Sequence, residues 1–188
     1  MGPADVEQGA EEMQRALRPH VGEDWSGPAG PLEWSCRETA VHVAHDLLAY
    51  AAQVAARAPA AYLPLDLIVD RDAGPEEVLD VVSACAGLLC SVLATAGPDA
   101  RAWHWGSTDP AGFAALGVNE ILVHTWDITA GLGVAWSPPA PLAAAVVRRL
   151  FPDAPSGDPA SVLLWCTGRG ELVGRPRRTA WSLRAALE

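Results

Sequence analysis

Glu120 and His124 stand four residues apart in the run EILVHTWD, and Asp127 follows three residues later. A carboxylate and an imidazole at that spacing on a helix share a face and reach the same cation. With Glu120 at zero on a 3.6-residue period, His124 falls at about 40° and Asp127 at about 340°. Leu116, Ile121, Val123 and Ile128 flank this stripe, Phe113 continues it, and Asn119, Thr125 and Thr129 lie on the back. An acid and an imidazole turned toward a core are costly unless they are paired or bind a metal. Gly117 and Gly131 border the stripe and are expected to leave room for a ligand. A buried Glu–His hydrogen bond without metal would produce the same pattern, as would a solvated seam if the helix faced the other way.

A second polar stripe lies in WSCRETAVHVAHDL. His42 and Asp46 are an i, i+4 pair, with Glu38 and Gln53 near the same line, and His45 is displaced by about 60°. One of these histidines together with Glu120 and His124 makes a His2Glu set. Such a set leaves a coordination position open, as catalytic zinc sites do. The helical wheel alone does not choose between His42 and His45.

Helices must position these groups, and the breakers mark where they run. The first is expected over about Ala4–Leu17, closed by Pro19 and Gly22. The second begins after Ser35, whose partner Glu38 completes a capping box, and runs to about Arg57. The third opens at Pro75 with Glu76 and Glu77 in its first turn and ends at Gly97-Pro98. The fourth opens at Asp109-Pro110 and reaches Gly131 or Gly133. Shorter helices are expected near Pro139–Leu150 and Pro159–Thr167, and a turn with a short strand in the tail. No alternating strand pattern or internal repeat is visible. The reading is all-α: four long helices joined by short loops, hence an antiparallel bundle over residues 1–134, with 135–188 as a short helical and irregular extension packed on it.

The 188 residues are 50% hydrophobic, enough for one sizeable core. The net charge of −10 argues against nucleic acid or an anionic membrane as partner. All 13 basic residues are arginine. Cys36, Cys85, Cys90 and Cys166 form no C-x-x-C pair and read as small buried apolar residues in a reducing cytoplasm. The uncharged run Val81–Ala100 contains Ser, Thr, Gly and Pro and reads as a buried helix rather than a membrane span. The acidic, amphipathic start of the chain does not read as a signal peptide.

WSCRETAVH, with its tryptophan eight positions before His42, resembles the second-helix motif of the DinB-like superfamily. In particular it resembles the metal-binding N-terminal domain of mycothiol-dependent maleylpyruvate isomerase. GVNEILVHTWDITAGLG is similar to the second motif of that family, and AWHWGSTDPAGFAALG and TGRGELVGRPRR look like an actinobacterial branch of it. The resemblance implies a DinB-like four-helix bundle in which His42, Glu120 and His124 bind a divalent metal, expected to be zinc. It makes Asp127, and with it Asp46, supporting residues behind the ligands, and places His45 outside the ligand set. The implied cosubstrates are a small electrophile and a low-molecular-weight thiol of the mycothiol type, and the implied reaction is thiol transfer or isomerisation. The isomerase carries a further C-terminal domain, whereas about 55 residues follow Gly133 here, enough for a short subdomain. Other readings are a non-catalytic metal-binding or regulatory protein, a metal-dependent hydrolase, or a natural-product tailoring enzyme on the same fold. A homodimer is compatible with all of them. His45, His104 between its two tryptophans, and Arg169 of the basic tail are candidate substrate contacts, because guanidinium suits a carboxylate.

Overall fold

The computed structural model describes residues 1–187. Six α-helices account for the architecture: α1 Pro3–Leu17, α2 Cys36–Ala56, α3 Pro75–Thr95, α4 Pro110–Gly131, α5 Ala140–Leu150 and α6 Pro159–Cys166. The all-α expectation holds. The strand segments are two-residue pieces, Ala102–Trp103 paired antiparallel with Ser107–Thr108. They sit in the linker AWHWGST, where no alternation is long enough to announce a strand. The tail holds an isolated bridge between Leu172 and Arg175 in place of the expected strand.

Three of the helices start at a side-chain cap. Ser35 accepts from the Glu38 amide at 3.1 Å while the Glu38 carboxylate accepts from the Ser35 amide at 2.8 Å. Asp109 and Asp158 accept from the amides of Gly112 and Ser161 at 2.8 and 2.9 Å. The α2 helix ends at Arg57 in a left-handed conformation, φ 51°. The 3-10 turn Arg18–His20 extends α1 past its expected end.

Four helices pack in a ring: α1 lies against α3 and α4, and α2 closes the ring against the same two helices. On the far side of α4 lies α5, which carries α6. This arrangement corrects the expected facing of α4. Asn119, Thr125 and Thr129, placed on its back by the helical wheel, are buried along with thirteen other residues of the helix. The two threonines satisfy their hydroxyls within the helix, donating to the carbonyls of Ile121 at 2.6 Å and Thr125 at 2.8 Å.

The glycines of α4 also serve packing rather than ligand space. A methyl at Gly117 would stand 2.8 Å from Leu89 Cδ2 and 3.2 Å from Leu47 Cδ2, so this position lets α4 approach α2 and α3. At Gly131 it would meet the Pro28 carbonyl at 2.5 Å and Cys36 Sγ at 2.8 Å, where the 25–35 loop crosses the helix end. The α3 helix is long and apolar enough to cross a membrane by length and composition, and here it packs Val78, Leu79, Val82 and Leu89 into the core. All four cysteines are free.

Candidate metal centre

The α2 and α4 helices bring His42, Glu120 and His124 to one point. Their donor atoms all lie within 4.8 Å of one another. Glu120 Oε2 is 3.2 Å from His124 Nε2 and 3.6 Å from His42 Nε2. Two ligands about 2.05 Å from a tetrahedral zinc stand about 3.3 Å apart. The Glu120 edges match that spacing, and the His42 edge is too wide for a hydrogen bond. With the remaining His42–His124 edge within 4.8 Å, the chemistry of the donor set suits a divalent metal of the zinc type.

The electrostatics favour the charged forms of both Glu120 and His124. Burial works against the charge of Glu120, but the close approach of His124 and the charge of His124 and His42 overcome it and hold the carboxyl below its ordinary range. Burial likewise opposes a charged His124. The bonds to Asp127 and Glu120 outweigh that effect and raise its pKa to about 9. Metal-free, His124 is thus a cation between two carboxylates, and loading a metal must displace its proton.

Asp127 accepts from His124 Nδ1 at 2.9 Å, which turns Nε2 toward Glu120. Its carboxylate is also the anchor for the tail. Arg169 donates from Nε to Oδ1 at 3.2 Å and from Nη2 to Oδ2 at 2.8 Å, and from Nη1 to the Thr167 carbonyl at 2.8 Å. The Asp127 side chain is 0% exposed and that of Arg169 is 8% exposed. Arg169 is thus held in an ion pair behind His124, and the cleft it lines, with Arg177 and Arg178, is separate from those beside His42. The other tail arginines are engaged away from the donor set. Arg177 donates to the Gly168 carbonyl, and Arg175 and Arg178 lie over the Trp165 ring.

On the other side, Asp46 Oδ2 stands 3.6 Å from His42 Nε2 and accepts from the Tyr50 hydroxyl at 3.4 Å. His45 points away from the triad, with Nδ1 3.1 Å from Asp46 Oδ1 and Nε2 3.5 Å from Asp66. Its displacement on the helical wheel is what removes it from the ligand set. His104 is 6% exposed. Its ring edge meets Tyr50, Tyr62 and Phe113, and its Nδ1 has no partner. Trp34 packs on His42 with ring centroids 4.8 Å apart.

Two clefts flank His45. One, of 310 Å³, is lined by His45, Asp46, Tyr50 and Gln53 of α2 and by Tyr62, Leu63 and Leu65 of the following loop. The other is a shallower groove along Trp34, His42, Asp66 and Leu67. Gln53 fastens the loop to α2, donating to the carbonyls of Ala61 and Trp103 at 2.8 and 2.9 Å and accepting from the Leu63 amide at 3.0 Å. Tyr50 was missed by the sequence reading, although the line His42–Asp46–Tyr50 at successive i, i+4 steps could have found it; Tyr62, in a proline-broken loop, carried no such signal.

No curated protein and no solved structure matches the chain. A family model described as the mycothiol maleylpyruvate isomerase N-terminal domain matches residues 6–129. That span contains the three donors and Asp127 and ends before α5 and the Arg169 tail. The match covers more than half of the sequence, and the chain belongs to the mycothiol maleylpyruvate isomerase N-terminal domain family.

Proposed function

We propose that the protein is a divalent-metal-dependent thiol transferase or isomerase acting on a small electrophile, with His42, Glu120 and His124 as metal ligands. The observation that carries this reading is the His2Glu donor set, with its donor atoms within 4.8 Å of one another, one groove lined by His42 itself and a second cleft lined by the adjacent Asp46. A zinc-like ion held there would supply the positive charge that keeps a thiol ionised near neutral pH. The chain's own residues do the rest. Glu120 contributes the one anionic ligand, and Asp127 fixes the tautomer and direction of His124. Trp34 limits the swing of His42. A thiol in one cleft and an electrophile in the other would meet beside His42. The thiol then either remains on the electrophilic carbon or leaves after rotation about the former double bond. Family membership supports mycothiol as the thiol.

The ring order of the four long helices supports a DinB-like antiparallel four-helix bundle over residues 1–134, with 135–188 as an extension packed on it. Free cysteines support a reducing compartment such as the cytoplasm.

The test is metal content of the purified protein beside its His42→Ala, His45→Ala and His124→Ala variants. About one divalent ion per chain, kept only by the wild type and the His45 variant, is expected. Stoichiometric metal in all three variants would remove the donor set from consideration. Thiol consumption in the presence of an electrophile, abolished by a chelator, then separates a thiol enzyme from a hydrolase.

A further inference from the structure

The cleft beside Asp46 differs in character from what a dicarboxylate such as maleylpyruvate requires. Its walls are Ala49, Leu63 and Leu65, two tyrosine rings and the stem of Gln53. The Gln53 amide is fully occupied in holding the loop. What remains polar is the Asp46 carboxylate, the His45 imidazole and the Tyr50 and Tyr62 hydroxyls. Among the described residues no arginine lines this cleft or its neighbour, and the chain contains no lysine. Of the tail arginines, Arg169 is bound to Asp127, Arg177 to Gly168, and Arg175 and Arg178 lie over the Trp165 ring, and the cleft that Arg169, Arg177 and Arg178 line is a different one. The charges nearest the cleft are acidic, Asp46 on its wall and Asp66 beside His45, whereas Glu120, beyond His42, is offset by His124. After burial, it is Asp46 and Glu120 that push the Tyr62 phenol up to about 12. A buried carboxylate without a cationic partner is strongly disfavoured, whereas a flat apolar ring finds aromatic edges and leucines.

We propose that this cleft is the electrophile subsite and that it takes an uncharged, ring-bearing molecule and rejects carboxylates, with Asp46 as the specificity-determining residue. Calling the occupant the electrophile rests on the metal-thiol reading above; the selection against negative charge rests on the lining alone. A volume of 310 Å³ suits a molecule with one ring and a short conjugated arm.

The experiment compares cinnamamide with cinnamate, which share shape and differ by one charge. Binding to the full chain is measured by equilibrium dialysis after metal removal, so that ligation of a metal by the cinnamate carboxylate does not enter. The amide is expected to bind at least tenfold more tightly. Asp46→Asn is expected to narrow the gap to within about threefold, by removing the like charge. Ala49→Trp, which fills the cleft, is expected to abolish amide binding while leaving the helical circular dichroism unchanged. Cinnamate binding as well as or better than the amide would overturn the proposal. So would failure of both to bind a folded chain, or amide binding indifferent to Ala49→Trp. The metal reading fails separately: a chain that never takes up metal but shows the charge preference keeps this inference and loses the other. A metalloprotein without the preference does the reverse.

Discussion

Replacing Arg169 by methionine isolates one cation at the back of the candidate centre. In the metal-free protein, His124 as a cation and Arg169 face Asp127 and Glu120, so two positive groups balance two negative ones. Methionine keeps the length of the stem and deletes the guanidinium, leaving the fully buried Asp127 with His124 as its one charged partner. Breaking a buried pair from one side typically costs about 3–5 kcal/mol, because the remaining charge is uncompensated. The two N–H donors lost to Asp127 lie within that figure and are not additional to it. The expected loss in urea unfolding free energy is therefore about 3 kcal/mol, read as a fall in midpoint at constant slope. Adding Asp127→Asn to Arg169→Met removes the stranded charge and is expected to return about 1 kcal/mol or more, a coupling that a double-mutant cycle measures directly. The same clamp orients His124, so zinc affinity in a competition titration is expected to fall by about 10–100-fold in Arg169→Met. Unchanged stability and unchanged zinc affinity would show that the ion pair neither supports the core nor aims the ligand.

Further outcomes follow from the same geometry. A raised His124 pKa stabilises the metal-free fold below about pH 6.5, and that stability drains away as pH rises through about 9; a shift of that size is worth about 3 kcal/mol, and a metal-free unfolding midpoint that stays flat from pH 7 to 10 would contradict it. Zinc binding near pH 7 is expected to release about one proton from His124, seen in calorimetry as a dependence on buffer ionisation enthalpy. Gly131→Ala is expected to destabilise more than Gly117→Ala, because the added methyl meets a backbone carbonyl at 2.5 Å in the first and leucine methyls in the second; thermal unfolding ranks the two. His104→Phe removes a buried nitrogen without a partner and is expected to hold or raise stability by about 1 kcal/mol, again read in urea.

The helix starts were legible because they rest on local chemistry: Ser35 with Glu38, Asp109 with Pro110, Asp158 with Pro159. The meeting of Glu120 with His124 was legible for the same reason, since i, i+4 spacing is a property of one helix. What lay beyond a single helix was less so. Choosing His42 over His45 from spacing alone would have required knowing how α2 is rotated against α4. Asn119, Thr125 and Thr129 looked like an outer face because nothing in α4 itself shows that its neighbours cover it on every side. Gly117 and Gly131 suggested space for a ligand, and instead they admit neighbouring chains. Arg169 pairs with Asp127 across 42 positions, and a basic tail in sequence looks the same whether its arginines are free or buried.

The clamp on Asp127 is one of two grips on α4. At the other end Arg149 joins Asp109, the cap of α4, to the Ala185 carbonyl at 2.8 and 2.6 Å. A helix pinned at both ends and buried around its circumference opens only when the whole fold opens, so its amides should be among the slowest to exchange with solvent. Glu120 and His124 ride on that slow element, with side chains 13% and 8% exposed, whereas the His42 side chain on α2 is 28% exposed. An ion leaving this centre would therefore escape by the rotation of one imidazole, and its residence time would be set by how tightly Trp34 covers that ring rather than by the stability of the protein.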